Sequence, residues 1–139
     1  MELDELVSRF EACTLPKAEW THQAHLTVGA WHVHRYGAAD AMTRLRRGIR
    51  RLNDSHGTAN SATSGYHETI TQAYVTLLAE YLSRPGDGSL AERVGRLLDS
   101  PLAARDALLR FYSRETLASS EARAAVMTPL VPLSLWFNP

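Results

Sequence analysis

Residues 21–37 read THQAHLTVGAWHVHRYG, and the spacing of their apolar positions decides the fold class. At about 100° per residue, His22, His25, Gly29, His32 and Tyr36 share one stripe with Leu26 and Val33, while Ala24, Val28 and Trp31 take the opposite side. A helix apolar nearly all round belongs at the centre of a bundle. Thr21 supplies an N-cap hydroxyl and Gly37 a C-terminal stop.

Helical periodicity continues to either side, and no segment alternates as a strand between hairpin turns would. A first helix is predicted from about Glu2 to Ala12, with Leu3, Leu6, Val7 and Phe10 on one face and Pro16 limiting it. A third is predicted from about Ala39 to Ser55, with Met42, Leu45, Ile49 and Leu52 as a narrow stripe. The polar stretch GTANSATSG (57–65) separates it from a fourth, YHETITQAYVTLLAEYL (66–82), which ends before RPGDG. SLAERVGRLLD (89–99) and LAARDALLRFY (102–112) read as two short helices hinged at Ser100-Pro101, and SRETLASSEARAAVM (113–127) holds material for another. The expectation is therefore an all-α, single-domain bundle of about six helices. From about residue 128 the tail TPLVPLSLWFNP is too proline-rich for a helix and too apolar to stay in water. It packs back on its own bundle or crosses to a partner subunit, and a homodimer is one expectation.

Composition narrows the function classes. The 139 residues carry 15 Lys+Arg against 15 Asp+Glu, which argues against a general nucleic-acid binder. The five arginines Arg44, Arg46, Arg47, Arg50 and Arg51 read as the solvated face of the third helix. No apolar run is long enough for a membrane span, and the acidic start MELDELVSRF predicts no secretory leader. Cys13 is the lone cysteine and has no internal disulfide partner, which fits a cytoplasmic protein.

The six histidines carry the chemistry. If helices two, three and four run up, down and up, then helices two and four are parallel. His22 and His25 then stand near His67 and Glu68 at one end of the bundle, beside Trp20 and a loop bearing Asn60, Thr63 and Ser64. Three imidazoles and a carboxylate form a ligand set for zinc, iron, manganese, nickel or copper, with a position left for water or substrate. Two helix N-termini oppose the charge of such a cation, although Glu68 offsets part of it. Without a metal, the same cluster is set up for acid–base catalysis, one histidine as base, His67 or Glu68 as its partner and free backbone N–H groups at the helix starts holding an anionic oxygen, with Thr71 a further catalytic candidate. A third alternative is a ligand-binding or dimeric interaction module without turnover. Trp20, Asn60, Tyr66 and His32 are candidate substrate contacts, although His32 also reads as a satisfied core histidine and His56 as a surface residue. Entry of a small substrate is expected through the 57–65 loop. Arg110, Arg114, Glu115 and Arg123 are candidates for an ion-pair group, and Tyr112, Ser113 and Glu115 are held in reserve for the site.

Three segments, LPKAEWTHQAHL, RRLNDSHGTANSATSGYHETIT and LLRFYSRETLASSEAR, carry a resemblance to a family of small bacterial all-helical proteins without an assigned activity. The W-T-H-x-x-H and G-Y-H-E-T elements are distinctive in combination. The resemblance implies that Trp20, His22, His25, Tyr66, His67, Glu68 and Thr71 form one site. It names no substrate, and the apolar ending after Met127 departs from the family's pattern. The reading favoured on these grounds is a small metal-dependent bundle enzyme, hydrolytic or acid–base in preference to redox.

Overall fold

Thr21 caps the central helix as its sequence predicts, its Oγ1 accepting from the Ala24 N–H at 3.1 Å. In the computed structural model, which describes residues 1–139, that helix is the second of seven α-helices, and there is no strand. The helices are α1 (Leu3–Glu11), α2 (His22–Tyr36), α3 (Ala38–Ser55), α4 (Glu68–Ser83), α5 (Leu90–Leu98), α6 (Arg114–Ala118) and α7 (Ser120–Ala124). Helix α2 packs against α1, α3, α4 and α5, which accounts for its apolar residues on nearly every side. Its Ala24, Leu26, Val28, Ala30 and Val33 are all buried.

Gly37 alone links α2 to α3 and adopts φ +80°, a conformation that a side chain disfavours. The tight link makes α2 and α3 antiparallel. Helix α4 runs parallel to α2, as expected: His22 meets Tyr74 near one end, and further along Gly29 lies against Leu78. A Cβ on Gly29 would stand 3.0 Å from Leu78 Cδ1, so the missing side chain is what lets the two helices approach. Leu15, Leu52, Leu77, Leu97 and Leu102 lie within the single core cluster. Burial of this kind stabilises by roughly 1.5 to 3 kcal/mol per large side chain.

Two local expectations are corrected. The LAARDALLRFY segment forms two 3₁₀ turns, Pro101–Ala103 and Ala107–Arg110, in place of a helix. Ala104 is extended between them, and so short a run does not recover the cost of nucleating an α-helix. Helix α4 begins at Glu68, with His67 as its extended N-cap and Tyr66 outside it.

The tail folds back on its own chain. Buried Thr69 donates to the Ala125 carbonyl at 2.9 Å and accepts from the Met127 N–H at 3.0 Å, and the Leu130 N–H reaches the Phe111 carbonyl at 2.7 Å. Leu133, Trp136 and Phe137 pack on the core, while Val126, Leu130, Val131 and Leu135 stay exposed. No helix is long and apolar enough to cross a membrane.

Candidate functional site

The starts of α2 and α4 present the four sequence-predicted ligands, and the structure does not bring them together. Tyr74, the α4 residue level with His22, lies seven positions beyond His67, about 10 Å further along the axis. No group of three His, Cys, Asp or Glu side chains is arranged to hold a metal ion.

His67 is engaged on both ring nitrogens. Its Nδ1 accepts from the Ile70 N–H at 3.1 Å, which places the proton on Nε2, and Nε2–H donates to the Leu117 carbonyl at 2.8 Å. It therefore caps α4 and ties α6 to that cap. Burial lowers its pKa, the Leu117 carbonyl opposes that shift, and the charge of Arg123 adds to it. A metal ligand needs a free nitrogen, so His67 does not fit the ligand role expected of it.

Glu68 is likewise committed. Arg46 donates to both its oxygens, at 3.0 and 2.8 Å, and the Tyr66 hydroxyl donates to Oε1 at 2.5 Å. Burial pushes the Glu68 carboxyl upward, but the Arg46 and Tyr66 hydrogen bonds outweigh it and hold the group below its usual range. Tyr66 is buried, is shifted far upward by burial and by Glu68, and lies under the Arg50 guanidinium. Glu68 thus joins α3 to α4 in an ion pair, and neither a ligand nor a general-base role fits it.

Asn60 holds the loop it sits on. Its Oδ1 accepts from the Tyr66 N–H and from Asn53 Nδ2, both at 3.0 Å, while its Nδ2 donates to the Arg50 carbonyl and to Asp54. Gly65, at φ +76°, passes so close that a Cβ there would stand 2.5 Å from the Ala59 carbonyl oxygen. No residue of 57–65 lines the histidine cavity, so the expected entry through this loop is corrected. The loop instead borders a separate surface groove with Arg50 and Arg123.

His32 is 2% exposed, packs edge-on against Phe10 and Trp31, and donates through Nδ1 to the Val28 carbonyl at 2.8 Å. It sits in the core, outside the cavity that His22 and His25 line. His56 is more than a surface residue, since its Nε2 bonds to the Leu15 carbonyl at 2.7 Å and ties the end of α3 to the turn after α1. The proposed ion-pair group does not form: Arg110 lies over Trp136, Arg123 donates to the Gly65 carbonyl, and neither Arg114 nor Glu115 has a salt-bridge partner. Ser113 caps α6 and Tyr112 is buried in the core.

What remains is a cavity of about 90 Å³ between α2, α3 and α4, lined by Trp20, His22, His25, Thr71 and Tyr74 above an apolar floor that includes Leu45, Ile49 and Leu78. His22 Nε2 is buried there without a hydrogen-bond partner. The other such atom, Arg93 Nε, belongs to a guanidinium that already donates to three backbone carbonyls, so Nε2 of His22 is the one that belongs to a group without a geometric hydrogen bond. Burial lowers the His22 pKa, the Ala103 backbone opposes the shift, and the charge of Arg105 adds to it. His25 stacks on Trp20 with ring centroids 3.8 Å apart. The protein around it and the neighbouring His22 push its pKa down; by area His25 remains exposed, and solvent on its open side limits how far. Tyr74 meets His22 edge-on at 5.8 Å, and burial together with the charge of Asp106 pushes its phenol up to about 12. The Thr71 hydroxyl donates to the His67 carbonyl at 2.7 Å, leaving its oxygen as an acceptor.

Of the residues marked from sequence, Trp20, His22, His25 and Thr71 share this cavity, while His67, Glu68, Tyr66, Asn60 and His32 lie outside it. Tyr74 was missed. Its position one turn beyond Thr71, on the apolar arc of α4, is the signal that points to it. The chain matches no family model, no curated protein and no solved structure at a significant level, so the resemblance read from its motifs gains no support from these comparisons.

Proposed function

We propose that the chain is a small-molecule enzyme in which His22 is the acid–base group, acting in the cavity shared with His25, Thr71 and Tyr74. One observation carries this reading: a buried, unpartnered imidazole nitrogen at a cavity that a ligand can reach. Leaving such an atom unpaired costs about 1 to 3 kcal/mol, and a bound ligand would remove that cost. With its pKa lowered, the imidazole is neutral at pH 7 and able to accept a proton, while the phenol of Tyr74 stays protonated as a donor. This supports a hydrolytic or other acid–base reaction on a small molecule.

A metal-assisted version draws on a second observation, two imidazoles one turn apart on the same cavity. A zinc, iron, manganese, nickel or copper ion there would take His22 and His25 as protein ligands and complete its shell with water or substrate. Elemental analysis of protein purified without chelators separates the versions. Near-stoichiometric metal, lost in His22→Ala and retained in His67→Gln, supports the two-histidine centre.

The test of the proposal is a panel of small esters, amides and hydroxy acids assayed for turnover, with imidazole resonances followed by NMR. The expected result is turnover by the wild type that falls about a hundredfold or more in His22→Gln. Ligands that shift His22 without turnover indicate a binding module, and ligands that bind without moving His22 or Tyr74 overturn the assignment of the site.

A further inference from the structure

The cavity of about 90 Å³ holds little more than the reacting end of a molecule, since water occupies roughly 30 Å³ in the liquid. His22, Ile70 and Tyr74, however, also line a second, open cleft of about 620 Å³ on the other side of the same three side chains. The body of a ligand therefore belongs in the cleft. Leu108, Leu109 and Leu117 make much of its wall apolar, and its charged lining residues are Arg105, Asp106 and Arg114. None of these three has an ion-pair partner. Two cations and one anion leave one net positive charge beside an apolar wall, a combination suited to a monoanion that carries a hydrocarbon body.

We infer that the site takes a small carboxylic acid with an apolar body, its carboxylate held at the cleft by Arg105 and Arg114 and its far end directed at His22. This rests on the reading of the His22 cavity as the site and adds the class of molecule that fills it. Guanidinium groups suit the role because their planar donors match a carboxylate. The second 3₁₀ turn (Ala107–Arg110) and the start of α6 supply the cleft wall beside Ile70 and Tyr74 of α4.

The experiment uses matched pairs of acid and primary amide, namely butyrate with butyramide, hexanoate with hexanamide and phenylacetate with phenylacetamide. Each is titrated into the full chain while the His22 ring resonances and the affinity are followed. The acid member is expected to bind about tenfold tighter than its amide and to shift His22, with the preference shrinking as salt is raised. In the Arg105→Gln/Arg114→Gln double variant, acid and amide affinities should converge to within about twofold while the amide's own affinity and its effect on His22 persist. Both arginines are exposed, so the fold should be retained; the two single variants, each losing part of the preference, provide a check. Equal affinity of acid and amide, with His22 still responding, overturns the carboxylate inference and leaves the cavity reading intact. Retention of the acid preference in the double variant also overturns the inference. A His22 that responds to no pair overturns the cavity reading itself.

Discussion

At the start of α4, buried His67 has a hydrogen bond on each ring nitrogen; at the start of α2, half-buried His22 has a buried nitrogen with none. Both are histidines at the beginning of a helix, both are followed within a turn by another residue able to take part in chemistry, and both have lowered pKa values. They differ in how many of their lone pairs and protons the fold has already used. Where the fold uses all of them the residue holds structure, and where it leaves one over at a cavity the residue is free for a ligand. Glu68 follows His67, its carboxylate spent on Arg46 and Tyr66, whereas Thr71 and Tyr74 follow His22 in keeping polar atoms at the cavity.

The sharpest way to break this contrast is His67→Ala. It removes the α4 cap and leaves the Leu117 carbonyl without its donor, so the expected loss is about 2 to 4 kcal/mol in urea unfolding, with ligand response at His22 unchanged in the fraction that remains folded. His67→Asn should recover the cap alone, since its shorter side chain does not reach Leu117. A stable His67→Ala protein would return His67 to the list of functional residues.

Glu68→Gln comes next in size. It keeps an acceptor for Tyr66 but removes the charge that Arg46 faces, and because Arg46 is partly exposed the expected cost is about 1 to 2 kcal/mol. Turnover or binding at the cavity should be unaffected. Lost activity at full stability would show that Glu68 takes part in the chemistry after all.

Stability against pH reads both helix starts at once. His22 at the start of α2, His67 at the start of α4 and His32 within α2 are held below imidazole's ordinary 6.5 by burial, so their contribution is complete above that value and declines as the pH falls below it, where the unfolded chain binds protons that the folded one refuses. Glu68 is held below an ordinary 4.5, so its contribution is present above 4.5 and declines only at lower pH. The urea midpoint should therefore fall in two windows, the first beginning near pH 6.5 and shallower in His67→Gln. A midpoint that stays flat between pH 7 and pH 5 would contradict the buried, neutral state of these rings.

Much of this was legible in the sequence. Thr21, Gly37 and the all-round apolar character of α2 marked the central helix, and the up-down-up path placed α4 parallel to it. The start of α4 was not legible to within two residues, and those two residues decided the site. Histidine is not among the preferred N-cap residues, so Tyr66 and His67 read as the first turn of the helix; as cap residues they turn their polar atoms onto the backbone and onto Glu68. Axial register was equally hidden, because shared ends of parallel helices say nothing of an offset of two turns. Arg105 escaped notice, and Arg114 was read only as a candidate for an ion-pair group, because the cleft they line is made largely by a 3₁₀ turn that carries no periodic signal.

The smallest expected effect is the one that most directly separates the two histidines. His22→Leu replaces a half-buried imidazole with an unpartnered Nε2 by a hydrocarbon of similar reach against Ile70 and Tyr74, so the desolvation cost of Nε2 disappears while packing is largely kept. Urea unfolding should change by no more than about 1 kcal/mol, in either direction. Ligand-induced shifts at Tyr74, and any turnover, should nevertheless vanish. A loss as large as that of His67→Ala would mean that His22 serves the fold through a bond the structure does not contain, and the contrast between the two helix starts would collapse.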